Sequence, residues 1–136
     1  MIVIDASATI ALVLNEDTAA ATIENFRTLA NDNVIAPSHW AAEVGNALVM
    51  NVKRRRLDRR QLEYVTAQLE KLRIQIEPPP SFVEMMSIAE RAIDTGLTYY
   101  DAAYVDKAQS RQASLFTFDQ KMRDAASRLD IRLLPS

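Results

Sequence analysis

Residues 1–14 read MIVIDASATIALVL, and the order of those side chains decides the fold. Ile2, Val3 and Ile4 form a β-branched apolar run without alternation, the mark of a strand buried on both faces, as in a parallel sheet. Ser7 to Leu14 then reads as a helix. Between the two stands Asp5, a full negative charge at the end of a buried run. An unpaired buried carboxylate costs several kcal/mol or takes up a proton. Asp5 therefore needs a partner.

Outward from this stretch, strands and helices alternate. A helix is expected from Thr18 to Ala30, with Ile23, Phe26, Leu29 and Ala30 at helical spacing, and Val34–Ala36 is the next strand. Pro37-Ser38 opens a long helix to Arg55 with Trp40, Val44, Ala47, Leu48 and Val52 on one stripe. Asp58 with Gln61 three residues on forms a capping box for a helix to Leu72. Arg73–Glu77 is a short strand closed by three prolines. Ser81 and Glu84 repeat the capping box ahead of a helix that Gly96 ends. Thr98–Gln109 is a helix, Ala113–Phe118 a strand, Asp119–Arg128 a helix and Ile131–Leu134 a last strand. This order predicts a three-layer α/β/α sandwich with a central parallel sheet, and a single domain over residues 1–136.

The totals exclude several classes. With 49% hydrophobic and 25% charged residues the chain has a globular composition. Its net charge of -2 and pI near 5.4 leave any nucleic-acid contact to a local basic patch. There is no cysteine and one histidine, His39, so thiol catalysis, iron–sulfur clusters and ordinary structural zinc are excluded. No apolar run approaches the ~20 residues of a membrane span, and no signal-peptide pattern precedes Asp5. A soluble, cytoplasmic protein is expected.

Ligands of open parallel sheets bind beyond the carboxyl ends of the strands. Asp5 ends the first predicted strand and Asp119 the fourth, so both belong to one sheet edge. Glu43, inside the helix after the second strand, and Asp101, in the first turn of LTYYDAAYV, start from that same edge. Two carboxylates about 4 Å apart repel by roughly 4 kcal/mol at an effective dielectric near 20. Four that converge must share protons or hold a divalent cation, and all-oxygen ligation selects Mg²⁺ or Mn²⁺. Each acid also has a simpler role open to it: Asp5 and Asp119 as helix N-caps, Asp101 in a Thr98-x-x-Asp101 cap, and Glu43 in a salt bridge between helices.

The ordered set IVIDASAT, PSHWAAEVGNAL, LTYYDAAYV and LFTFDQKM resembles the PIN-domain ribonucleases, in particular the VapC toxins of type II toxin–antitoxin systems. The resemblance spans essentially the whole chain. It implies catalytic roles for Asp5, Glu43, Asp101 and Asp119, with Asp5, Asp101 and Asp119 as metal ligands. Ser7 and Thr117 match the small polar positions that support the acids, and Asn46 stands one turn after Glu43, placed to orient it. The implied activity is Mg²⁺- or Mn²⁺-dependent endoribonuclease action that leaves 5′-phosphate and 3′-hydroxyl ends and inhibits translation. The implied partners are RNA, a cognate antitoxin and a second copy in a homodimer or hetero-oligomer.

Lys53, Arg54, Arg55, Arg56, Arg59 and Arg60 hold six of the 16 basic residues. Such a run is either a solvated helix end, favoured by the helix dipole, or a phosphate clamp; Lys53 to Arg56 are the candidate RNA contacts. Tyr99, Tyr100 and Tyr104 could stack on bases, but at helical spacing core packing is the favoured reading, Tyr104 included. His39, one turn before Glu43, reads as a packing residue and not a ligand. Adjacent Ser38 and His39 cannot form a nucleophile–base pair. A haloacid-dehalogenase-type phosphatase would carry a second Asp at position 7, where this chain has Ser7. A non-catalytic metal-binding module on the same fold remains the alternative.

Overall fold

The computed structural model describes residues 1–14 and 22–136. Five strands form one sheet: β1 (Ile2–Ile4), β2 (Val34–Ala36), β3 (Gln75–Ile76), β4 (Ser114–Phe116) and β5 (Leu133–Leu134). All neighbours run parallel, in the order β3-β2-β1-β4-β5. Around it among the described residues are seven helices: α1 (Ala6–Leu14), α2 (Ile23–Ala30), α3 (Trp40–Lys53), α4 (Gln61–Leu72), α5 (Phe82–Thr95), α6 (Tyr99–Ser110) and α7 (Gln120–Arg128). This is the expected α/β/α sandwich. Among the described residues no helix is long and apolar enough to cross a membrane.

The apolar run at the start of the chain earns its central position. Ile2 pairs with both Val34 and Ser114, and Val3 with both Ile35 and Leu115, so β1 is hydrogen-bonded on both sides. Successive side chains of a strand face opposite layers. Ile2 and Ile4 accordingly join Leu12, Leu29, Val65 and Phe116 beneath α1, α2 and α4. Val3 joins Trp40, Val44, Tyr104, Leu115 and Met122 beneath α3, α6 and α7. Burying a side chain such as Ile2, Ile4 or Phe116 stabilises by about 1.5–3 kcal/mol each.

From β1 the chain winds through β2 to β3 on one side. The long return through α5 and α6 then delivers β4 to the other side of β1. Strand order therefore reverses between β1 and β4, the place where parallel α/β sheets open a crevice. Asp5 and Thr117 follow directly on those two strands.

Most element boundaries match the sequence reading within a residue or two, and the departures have local causes. β3 is shorter than Arg73–Glu77 because Arg73 takes the left-handed conformation that closes α4 (φ 50°). β4 ends at Phe116, before the expected Phe118, because the chain turns there to aim Thr117 at Asp5. β5 begins at Leu133, as Ile131 N–H bonds Ala126 O and still closes α7. Helix α3 begins at Trp40 after a turn over Pro37–His39. The onset of the second helix at Thr18 lies outside the described residues; its described part starts at Ile23, capped by Thr22.

Candidate active site

Asp5 is 1% exposed and both its oxygens are engaged. Oδ1 accepts the Ala8 N–H at 2.6 Å, capping α1, and Oδ2 accepts the Thr117 hydroxyl at 2.5 Å. Capping thus occupies one oxygen and leaves the other to Thr117. Burial pushes the Asp5 carboxyl up to about 6 against these two hydrogen bonds, with Asp101 and Asp119 adding repulsion in the same direction.

Thr117 is fully buried and links two acids. While its hydroxyl donates to Asp5, it accepts the Asp119 N–H at 3.1 Å. Asp119 in turn caps α7, Oδ1 accepting the Met122 N–H at 2.8 Å. The Arg123 guanidinium fastens this turn from behind, donating to Thr117 O and Pro135 O, each at 2.9 Å.

Asp101 sits in the first turn of α6, where its N–H bonds the Thr98 hydroxyl at 3.2 Å. The expected cap is present, with Thr98 giving its side chain to it; the Asp101 carboxylate also interacts with Thr98 while it feels Asp119 and Glu43. Burial raises the Asp101 carboxyl, with repulsion from Asp119 and Glu43 in the same direction. The acids therefore sense one another across three helix starts and α3, as their placement on one sheet edge implied.

Glu43 is aimed by packing between α1 and α3. The Trp40 indole N–H donates to Thr9 Oγ1 at 3.1 Å, and that hydroxyl donates to Asp5 O at 2.7 Å, all buried. One turn on, Glu43 Oε1 accepts the Tyr104 hydroxyl at 2.7 Å and lies 3.2 Å from His39 Nε2. His39 Nε2 has no well-aligned hydrogen-bond partner, so this contact is electrostatic. Burial pushes the Glu43 carboxyl up, but His39 and Tyr104 outweigh it and hold the group below the usual glutamate range. Burial and the Glu43 bond both keep the Tyr104 phenol protonated.

Two expectations change here. Asn46 does not orient Glu43, whose partners are Tyr104 and His39. Tyr104 is core, as read, yet its hydroxyl also serves the site. A buried tyrosine hydroxyl must find a partner, and its position three residues after Asp101 was the available signal. Ser7 is exposed and lines a cleft of about 480 Å³ with Glu43, Asn46, Arg54 and Arg56. The basic run splits accordingly: Arg54 and Arg56 border the cleft, while Lys53 and Arg55 do not. Tyr100 is exposed with its ring 5.6 Å from His39, and Tyr99 packs against the core.

Among the described residues no three acidic or histidine side chains form a ready-made metal cage. The donor set nonetheless fits a hard cation. It is all oxygen, Asp5 is fixed by two hydrogen bonds, and burial, with repulsion between the acids added to it, raises Asp5 and Asp101. Mg²⁺ keeps several waters and takes few carboxylates, so a full protein cage is not required.

A parallel α/β sheet with acids at its switch point offers oxygen donors where such sheets bind ligands. The chain belongs to the PIN domain family, whose pattern it matches over residues 2–128. PIN domains are generally nucleases and typically use divalent metals. Among solved structures it is similar to PAE2754 from Pyrobaculum aerophilum, at 23% identity and a TM-score of 0.67, over 94% of this chain and 92% of that one. It is also similar to FitAcB from Neisseria gonorrhoeae, at 19% identity and a TM-score of 0.57, over 98% and 96%. These likenesses speak to the fold. No curated protein matches the sequence.

Proposed function

We propose that residues 1–136 act as a single metal-dependent endoribonuclease domain, the VapC-like toxin of a toxin–antitoxin pair, which hydrolyses RNA and inhibits translation in the cytoplasm. The observation that carries this reading is the mutual repulsion of Asp5, Asp101, Asp119 and Glu43 at the β1/β4 switch point. Such an arrangement is stable at neutral pH when a cation sits among the acids.

Asp5, Asp101 and Asp119 are the ligands in this reading. A bound Mg²⁺ or Mn²⁺ would supply a Lewis acid that activates water and offsets charge on the phosphate oxygens. Glu43, kept ionised by Tyr104 and His39, is the carboxylate available to orient the attacking water and take its proton. Thr117 fixes Asp5 against Asp119, and Ser7 borders the entrance. Arg54 and Arg56 hold neighbouring phosphates. Attack by water breaks the P–O3′ bond, leaving a 5′-phosphate and a 3′-hydroxyl that takes up a proton.

The antitoxin and a second copy of the chain are the protein partners. Helix α5 supports this, since Phe82, Val83 and Ile93 are at least 80% exposed and only Ile88 is buried. The test is cleavage of RNA by purified protein in Mg²⁺, Mn²⁺ or EDTA, with end-group analysis and Asp5→Asn alongside. Cleavage should need the metal and Asp5 and leave 5′-phosphates. Cleavage in EDTA, cleavage by Asp5→Asn or 2′,3′-cyclic ends would overturn the reading.

A further inference from the structure

The cleft beside Glu43 does not stop at the arginines. Asn51 and Arg56 line it, and both also line a second cleft of about 520 Å³ that continues past Gln61 to Tyr64 on α4. The two clefts thus adjoin, with Asn51 and Arg56 shared between them. Tyr64 is 57% exposed, whereas Val65 beside it is 1% exposed and supplies the packing that anchors α4. A large aromatic ring that lines a cleft and is left half-exposed by the described residues calls for an occupant.

The charge along the lining is ordered. Glu43 stands at one end, and Arg54 and Arg56 make the middle cationic. Among the described residues none of Lys53, Arg54, Arg55, Arg56, Arg59 or Arg60 forms an ion pair. The one acid within the run, Asp58, accepts the backbone N–H groups of Arg60 and Gln61. The turn is also held in place. Asn51 O accepts the N–H of Arg56 at 2.9 Å and of Leu57 at 3.3 Å, and the Leu57 side chain is buried. Arg56 is thus presented on a pinned backbone, which lowers the ordering cost of binding.

We propose that Tyr64 is a base-stacking platform for single-stranded RNA, reached from the acid site along Asn51 and Arg56. This rests on the nuclease reading and deepens it by giving the substrate strand a path. Single-strand tracks pair cationic grooves with aromatic faces, and any base can stack. A protein tail fits less well: carboxylates that would pair with the arginines would be repelled by Glu43 at the end of the lining. A phosphodiester chain accompanied by a divalent cation suits both ends.

The experiment is cleavage kinetics and fluorescence-anisotropy binding of a labelled single-stranded RNA by wild type, Tyr64→Ala, Tyr64→Phe and Arg56→Ala, with folding checked by Tm. A second RNA of the same length carries abasic riboses. Tyr64→Ala should raise KM and Kd about 5- to 160-fold, the worth of one stacked base. Tyr64→Phe should keep near wild-type values. On abasic RNA the Tyr64→Ala penalty should vanish, and only Arg56→Ala should flatten the salt dependence. Unchanged KM and Kd in Tyr64→Ala, or an equal penalty on abasic RNA, would overturn the proposal. So would an effect confined to binding a protein partner. Wild type that binds RNA through Tyr64 without cutting it would uphold the track and overturn the nuclease reading. Wild type that neither binds nor cuts would overturn both.

Discussion

Replacing Asp5 by Asn should change how the metal-free protein responds to pH, and the structure gives the size of the effect. The Asp5 carboxyl rises from 3.8 to about 6, chiefly through burial. A raised native value means that the fold prefers the protonated acid. The contribution is fully present below about pH 3.8 and is lost as pH rises through about 6. At neutral pH, holding the charge costs about 3 kcal/mol, of which about 2 kcal/mol develops between about pH 4.5 and 7.5. Asn keeps an oxygen for the Ala8 N–H and has no proton to lose. Urea unfolding in EDTA, followed through the single tryptophan, Trp40, should show wild-type stability falling against Asp5→Asn by about 2 kcal/mol across that window. Saturating Mg²⁺ or Mn²⁺ should then restore wild type, by about 2.7 kcal/mol at a hundredfold excess over Kd, and leave Asp5→Asn nearly unmoved. Parallel pH curves for the two proteins would refute the reasoning, because Asp5 would then carry no more charge strain than an unfolded aspartate.

Tyr104→Phe removes one of the bonds that lower Glu43. The Glu43 carboxyl should move up in a carbon-detected NMR titration, its stabilising effect at neutral pH should shrink, and stability should fall by about 1 kcal/mol, discounted for the partial exposure of Glu43. Double replacement of Arg54 and Arg56 by Ala should flatten the salt dependence of RNA binding, measured by anisotropy. The log–log slope should shrink by about 0.7 for each phosphate no longer neutralised. Gln112→Gly should stabilise by about 0.5 kcal/mol in thermal unfolding, because Gln112 is exposed and its φ of 52° suits glycine.

The strand-helix order and the acids were legible because both follow from local rules. An apolar β-branched run that ends in Asp5 states burial and charge together, and Ser81 with Glu84 forms the capping box that its spacing promised. For Asp5 the expected cap is present and uses one oxygen, while the other takes Thr117, so capping does not exclude the proposed site role. Of the partners of Glu43, His39 stood one helical turn away in the sequence, but Tyr104 was not legible. Tyr104 lies 61 positions away, and only the packing of α3 against its neighbours brings the two together. Nor did the basic run declare which of its members face the cleft. Arg55 has a φ of 58°, a left-handed step past the end of α3, and Arg54 and Arg56 on either side of it line the cleft with Glu43 while Arg55 does not. A helical projection of the sequence has no such step.

The most direct test of the central claim is a crystal of the wild-type protein soaked in Mn²⁺ and measured at the manganese absorption edge. An anomalous peak within coordination distance of the Asp5, Asp101 and Asp119 carboxylates, absent from Asp5→Asn crystals, is the predicted result. A saturating soak that leaves that edge of the sheet without a peak, or places manganese only on other surface acids, would contradict the account.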